Sequence, residues 1–215
     1  MTKRKTFTPR ALKDREGIQS YSSLSGNYFK VAQELRERSR INKEGMPGHY
    51  YVFPSVIMYV ASLEAFMSEF LAFVRFSNED SLKLLALKKQ SDQYADFKTW
   101  IREVFITFNR TGVEIDYGGE FFQNVIALKE LRNSVAHYNP DFVSHAEWPK
   151  RLQQVFSKSK IDVLNSGWTT NFSRPEVADW AYEITKGTIS EFCNTSGCEN
   201  PFQAEYPFGW ESSKP

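Results

Sequence analysis

The residues with the clearest chemical capacity are Arg132, Asn133 and His137, in the run Leu131-Arg132-Asn133-Ser134-Val135-Ala136-His137. This run places a permanent cation, an amide and an imidazole within about one and a half helical turns. Cleavage of a phosphodiester by a neighbouring 2'-hydroxyl needs proton removal from that hydroxyl, proton donation to the leaving oxygen, and stabilisation of the charge added to the phosphate. Histidine can perform either proton transfer, and arginine can stabilise the charge without a metal.

Helix geometry limits what a single copy of this run can do. Arg132 and His137 are about 140° apart around a helix axis, whereas Asn133 and His137 share a face. Ala136 follows Arg132 by one turn and leaves room for the guanidinium group. Because one helix presents an incomplete site, the spacing predicts a homodimer in which two antiparallel copies of the motif surround one cleft at a two-fold axis.

The composition is that of a soluble globular protein with one main domain. The chain has 215 residues, of which 41% are hydrophobic and 25% are charged, and its formal net charge is +1. Residues 1–43 contain eleven lysines and arginines against four acidic residues, so the rest of the chain has a net excess of six negative charges. The basic amino-terminal region either binds a phosphate backbone or forms a solvated helix face.

Several functional classes lack their sequence signals. There is no glycine-rich phosphate loop, G-x-S-x-G elbow or H-E-x-x-H pair, so we expect neither a cofactor nor a metal. Cys193 and Cys198 have no second pair or nearby histidine and are expected to be free thiols, and His49 and His145 are expected to be surface residues. The basic start of the chain is not followed by a secretory h-region, which favours a cytoplasmic protein.

The most hydrophobic stretch runs from Tyr50 to Val74 and is long enough to cross a membrane. Glu64 and Glu69 lie within it, and each would cost about 2.5 to 3.5 kcal/mol at the centre of a bilayer. We therefore expect the buried central helix of a bundle and no membrane association. Its aromatic side chains are expected to belong to the core rather than to a base-stacking surface.

Apolar periodicity predicts an all-α bundle of about five helices with irregular connections. We expect a flexible basic tail at 1–16, one helical domain at 17–195, and an extended aromatic and proline-rich tail at 196–215. The main helices are predicted at 18–42, 52–76, 78–105, 120–138 and 174–193. Pro54 is expected in the first turn of the second helix, and Ser173 is expected as the N-cap of the last helix. Residues 113–117 are expected to form a short extended piece. Residues 141–173 are expected to be irregular apart from a short helix at 148–157.

The run LKELRNSVAHYNP resembles the R-x4-6-H signature of the HEPN superfamily, the higher-eukaryote and prokaryote nucleotide-binding domains. The order of elements is also similar: an early apolar helix with a conspicuous Glu64, the motif helix, a variable connection and a closing helix. The likeness covers roughly residues 18–194, and only the motif is specific. It implies an all-helical, HEPN-like fold and a homodimer.

Many members of this superfamily are metal-independent endoribonucleases in toxin, antiphage or RNA-processing systems. The resemblance implies that RNA is the substrate, that Arg132 stabilises the scissile phosphate, that His137 is a general base or acid, and that Asn133 orients one of them. An antitoxin or regulatory protein is an implied partner. One branch continues the motif as H-x-Y, and this chain departs from it because Tyr138, a further supporting residue, follows His137 directly.

Two other interpretations of the motif remain open. The chain can be a non-catalytic HEPN-like module that binds a nucleotide, RNA or protein. It can also be a helical scaffold in which Arg132 pairs with Glu64 or Glu130 and His137 caps the helix terminus, where a cation is favoured. Glu64 is accordingly expected either as a satisfied core carboxylate or as the group that positions Arg132.

Overall fold

The computed structural model describes residues 24–41, 49–73, 101–102, 104–106, 109, 112, 114, 116–137, 148–159, 161–164, 166–196 and 200. The side chains of residues 49 and 71–73 are not among the described features. Several sequence predictions therefore lie outside the described residues. These are the tail at 1–16, the helix at 78–100, nearly all of the tail at 196–215, and the residues Tyr138, His145 and Cys198.

The described residues form six helices and no β-strand, which confirms the all-α class. The helices are α1 (Leu24–Ile41), α2 (His49–Phe73), α3 (Glu120–Ala136), α4 (Lys150–Lys158), α5 (Trp168–Phe172) and α6 (Pro175–Ser196). Residues 101–102 and 104–106 are also helical. Five of the six helices overlap predicted ones, and α6 continues to Ser196, past its predicted end at Cys193.

The start of α2 differs from the prediction. The helix begins at His49 rather than Val52, so Pro54 is its sixth residue and lies beyond the first turn. Proline has no N–H to donate to the carbonyl four residues earlier, which is that of Tyr50. Tertiary packing holds this turn in place, because Val52 is fully buried and the Phe53 ring stacks on Trp168 with centroids 5.9 Å apart.

Helix α5 lies in a region that was predicted to be irregular. Its five residues are too few to show an apolar period, and a side-chain network fixes the loop before it instead. The buried Asn171 accepts a hydrogen bond from the Leu164 N–H at 2.7 Å and donates to the carbonyls of Leu164 and Ser166. These bonds satisfy backbone groups of the loop that leads into the helix.

The predicted role of Ser173 is also wrong. Ser173 is the C-cap of α5, and its hydroxyl donates to the Thr170 carbonyl at 3.3 Å. Helix α6 starts at Pro175, which occupies its first turn as expected because the missing N–H has no intrahelical partner there. The two helices therefore follow one another with only Ser173 and Arg174 between them.

Helices α1 and α2 form an antiparallel pair held by small and polar residues. Near the start of α1, Ser25 donates its backbone N–H to Glu69 Oε1 at 3.0 Å and its hydroxyl to Oε2 at 2.6 Å. The Ser62 hydroxyl donates to the Ser25 carbonyl at 2.8 Å, and that of Ser55 donates to the Ala32 carbonyl at 3.1 Å. A carboxylate at a helix N-terminus satisfies an orphan N–H and complements the helix dipole, so Glu69 anchors the start of α1.

The prediction that α2 lies at the centre of the bundle is confirmed, because it packs against α1, α3, α5 and α6. Its aromatic side chains Tyr59, Phe66 and Phe70 are buried, as expected of core residues. The stretch Tyr50–Phe70 has the length and composition of a membrane span, and half of it is buried inside this chain. Packing within the bundle therefore explains why the buried half of this stretch is apolar.

Helix α3 contributes to both apolar clusters that the described residues form. Phe122 and Val125, in its first half, pack in one cluster with the far ends of α2 and α6. Leu128 and Leu131 pack in the other, with α1, α4 and α5. Because Leu131 is fully buried, the residue beside it in sequence, Arg132, is held at a fixed height and rotation relative to α2.

Candidate functional site

The two ends of α3 are defined by local hydrogen bonds. Before the helix, the Gly118 N–H donates to Asp116 Oδ1 at 2.9 Å, and the Gly119 N–H donates to the Asp116 carbonyl at 3.1 Å. Gly119 is the N-cap. At the other end His137 is the C-cap, and its N–H donates to the Asn133 carbonyl at 2.8 Å. The motif therefore lies at the carboxyl end of the helix, as predicted, with the imidazole at the point where the backbone leaves the helix.

Arg132 is bound to the carboxylate of Glu64. Its Nη2 donates to Glu64 Oε1 at 2.8 Å across the α2–α3 interface. The Nζ of Lys129, one turn earlier on α3, contacts the same oxygen. We call Glu64, Lys129 and Arg132 the ion cluster.

The side chains of the ion cluster are partly buried. The Arg132 side chain is 22% exposed, that of Lys129 is 18% exposed and that of Glu64 is 38% exposed. Burial lowers the pKa of Arg132, and its guanidinium remains charged at neutral pH. Burial and the neighbouring Arg132 charge lower the pKa of Lys129 to about 8, while the carboxylate of Glu64 acts in the opposite direction.

Counted over its own three side chains, the ion cluster has one positive charge in excess at neutral pH, because two cations share one carboxylate. An exposed ion pair without excess charge would offer little to an anionic ligand. Here Arg132 and Lys129 share the negative charge of Glu64. The partly exposed guanidinium can therefore still attract a phosphate. The cluster is therefore suited to binding an anion as well as to joining α2 and α3.

Beside the ion cluster lies a surface formed by Asn133, Ala136 and His137, all of which are exposed. We call these three residues the exposed strip. At 100° per residue, Asn133 and His137 follow Lys129 around α3 in steps of about 40°. An imidazole and an amide are thus open to solvent next to the excess positive charge.

The opposite flank of the exposed strip is formed by α3 and α4 together. Arg151 of α4 contacts the carboxylate of Glu130, and its Nε donates to Gln123 Oε1 at 3.1 Å. Glu130 and Gln123 lie on one face of α3, about 20° apart at a spacing of seven residues. Asn133 and His137 therefore lie between the ion cluster on one side and the Arg151–Glu130 pair on the other, and Ala136 lies one turn beyond the ion cluster.

The structure brings some of the predicted site residues together. Arg132 and Glu64 are joined directly, whereas Glu130, the other carboxylate considered for Arg132, pairs with Arg151. His137 and Asn133 are exposed close to them, and Tyr138 is outside the described residues.

The sequence interpretation missed Lys129. Its signal is the spacing of three to Arg132, which places both cations on one helix face.

Other chemistry is limited in the part of the chain that the structure describes. No group of three or more histidine, cysteine, aspartate or glutamate side chains there is placed to hold a metal ion. Cys193 is buried and forms no disulfide. The ion cluster and the exposed strip are therefore the strongest candidate site among these residues.

No protein-family model matches the chain. No curated protein and no solved structure matches it either. The resemblance to the HEPN superfamily consequently depends on the motif residues and on the order of helices in this sequence.

Proposed function

We propose that this chain is a metal-independent endoribonuclease of the HEPN type that acts as a homodimer. The observation that supports this best is the position of the exposed His137 and Asn133 beside an ion cluster with one excess positive charge. A general base or acid must be accessible to solvent and substrate. The group that stabilises the phosphate must keep positive charge that its own carboxylate partner does not neutralise. The candidate site meets both requirements.

The proposed step is attack of a ribose 2'-oxygen on the adjacent phosphorus. His137 accepts the proton from the 2'-hydroxyl, the bond from phosphorus to the 5'-oxygen breaks, and His137 of the partner subunit donates a proton to that oxygen. Arg132 stabilises the charge that develops on the phosphate oxygens. The products are a 2',3'-cyclic phosphate and a 5'-hydroxyl.

A homodimer completes this site. One His137 cannot readily act as base on one side of the phosphate and as acid on the other. Two copies of the exposed strip and the ion cluster around a two-fold axis supply two imidazoles and two guanidinium groups. Ala136 in the strip is small and exposed, so two α3 helices can approach closely there.

We place this activity in the cytoplasm, in a toxin-antitoxin or antiphage setting with an antitoxin or regulatory protein as a partner. The resemblance to the HEPN superfamily supports this setting. An endoribonuclease without strong sequence preference needs control in its own cell, and a partner that covers the exposed strip would provide it.

The test is incubation of the purified protein with total RNA and transfer RNA in EDTA, beside Arg132→Ala and His137→Ala. In Arg132→Ala, Glu64 keeps its contact with Lys129, so the variant leaves no isolated carboxylate. His137 is exposed, so its replacement should not affect folding. Loss of cleavage in both variants, with Lys186→Ala on α6 still active, is expected. Wild-type protein that leaves RNA intact under all conditions would overturn the proposal.

A second candidate function is a non-catalytic HEPN-like module that binds RNA, a nucleotide or a protein. The hydrogen bond from Arg132 to Glu64 favours it, because a guanidinium already bound to a carboxylate has less capacity to stabilise a transition state. RNA binding that depends on Arg132, without cleavage by the wild-type protein, would support this candidate.

A further inference from the structure

Helix α4 has a basic outer surface without any carboxylate of its own. Its nine residues, KRLQQVFSK, include Lys150, Arg151 and Lys158 and no aspartate or glutamate. The apolar residues Leu152, Val155 and Phe156 are buried in the core. The opposite face is therefore composed of cations and neutral polar groups, in a chain whose overall net charge is only +1.

This face borders a shallow, open groove with a volume of about 520 Å³. Its described lining residues are Lys150, Gln153, Gln154, Ser157 and Lys158. The Gln153 amide donates to the Trp148 carbonyl at 2.8 Å, and the Ser157 hydroxyl donates to the Gln153 carbonyl at 2.9 Å. Lysines lie at both ends, and the exposed amide of Gln154 lies between them. Phosphate and sugar oxygens are the groups that such side chains bind in nucleic-acid complexes.

The helix that carries this face packs against the motif helix α3. Arg151 lies on the side of α4 that faces α3, where it contacts Glu130. On α4, Lys158 is about 20° from Arg151 around the axis, and Lys150 is about 100° from it toward solvent. On α3, His137 and Asn133 follow Glu130 toward solvent in the same way. The solvent faces of the two helices therefore meet at the Arg151–Glu130 pair.

We propose that the outer face of α4 binds the phosphodiester backbone of the RNA whose cleavage was proposed above. The identity of the polyanion rests on that proposed function. Lys150 and Lys158 are eight residues apart, about 12 Å along the helix, so the surface suits a ligand with successive phosphates rather than a single one. The groove extends the site from one scissile phosphate to a longer segment of RNA.

The described lining contains no aromatic side chain. Base stacking requires exposed rings, so binding in the groove should depend on the backbone and not on base identity. Backbone binding by lysine releases counterions and weakens steeply with salt. The inference therefore predicts binding that is insensitive to sequence and sensitive to salt.

The test is fluorescence anisotropy with labelled oligouridine, in a His137→Ala background that does not cut the RNA. Lys150→Glu is the informative variant, because a glutamate in the first turn suits the helix dipole better than the native lysine and should not lower stability. We expect it to weaken oligouridine binding several-fold and to reduce the slope of log affinity against log salt by more than roughly 0.7, the value for one lost contact to single-stranded nucleic acid. The double variant with Lys158→Gln should lose more.

Lys186→Glu on α6 is the matched control, since it reverses the charge of another exposed helical lysine, whose Nζ lies 5.4 Å from the centroid of the Tyr182 ring. The dinucleotide UpU, too short to span the groove and the strip, should bind equally to all variants. Equal oligouridine affinity and salt slope in Lys150→Glu and Lys186→Glu would overturn the inference even if the wild-type protein cleaves RNA. Absence of oligouridine binding by the His137→Ala protein would overturn it too, and absence of cleavage by the wild type is the separate failure of the proposed function.

Discussion

Glu64 of α2 and Arg132 of α3 are 68 positions apart in the sequence and are joined by a hydrogen bond of 2.8 Å. The same carboxylate oxygen contacts Lys129, so both cations of the ion cluster are positioned by the central helix of the bundle. The site is thus tied to the core. Substitutions of α2 residues that contact the ion cluster should therefore alter catalysis although they leave the imidazole of His137 in place.

Glu64→Gln should separate turnover from binding. Loss of the carboxylate leaves Arg132 without its positioning partner, so we expect kcat to fall by up to about a hundredfold, the cost of a misplaced group in an active site. KM for RNA should stay constant or decrease, because the net charge of the cluster rises by one. Glu64→Asp should recover part of kcat. Unchanged kcat in Glu64→Gln would show that Arg132 needs no positioning.

Lys129 should impose a pH dependence on RNA binding. Its lowered pKa of about 8 means that it is charged below that pH and neutral above it, so the net charge of the cluster falls from +1 to zero as the pH rises. Affinity for RNA, measured in the His137→Ala background to remove titration of the imidazole, should fall as the pH rises through about 8. Lys129→Arg keeps its charge and should abolish this fall. Parallel curves for the two proteins would contradict the assignment to Lys129.

The contact between Ser25 and Glu69 should be a major source of stability for the α1–α2 pair. Glu69→Ala removes the acceptor of both Ser25 hydrogen bonds in a buried position, and we expect unfolding in urea to show a loss of about 2 to 4 kcal/mol. Ser68→Ala, at an exposed neighbouring position of α2, should change stability by less than about 0.5 kcal/mol. A loss in Glu69→Ala no larger than that of Ser68→Ala would refute this role.

Ala136→Arg should test the dimer. The residue is exposed in the last turn of α3, so a long charged side chain there should leave the fold intact and prevent two exposed strips from meeting. We expect sedimentation to show a monomer and cleavage to be lost. Asn194→Arg, an exposed position in α6, should remain dimeric and active. A dimeric, active Ala136→Arg protein would exclude an interface at this strip.

Most of the fold was predictable because the long helices have a clear apolar period. The start of α3 at Glu120 and the buried residues of α2 follow from the sequence pattern. Pro54 and Ser173 were misplaced because local preferences for the first turn and the N-cap compete with packing: Phe53 stacks on Trp168, and Ser173 ends α5. Helix α5 depends on the hydrogen bonds between Asn171 and the loop before the helix. The apolar periodicity of the sequence does not indicate such bonds.

The candidate site was predictable only in part. Residue types and spacing identified Arg132, Asn133 and His137. They offered Glu64 and Glu130 as partners for Arg132 without a means of choosing, since the choice depends on how α2 and α4 pack on α3. In the structure Arg132 binds Glu64, and Arg151 binds Glu130. Lys129 also contacts Glu64 and so belongs to the cluster.

The chemical identity of the RNA ends tests the central claim most directly. RNA incubated with wild-type protein in EDTA can be examined by mass spectrometry of the fragments, beside the same reaction with His137→Ala. The account predicts fragments with 2',3'-cyclic phosphate and 5'-hydroxyl ends from the wild type and intact RNA from the variant. Fragments with 5'-phosphate ends, equal cleavage by His137→Ala, or RNA left intact by the wild-type protein would contradict it.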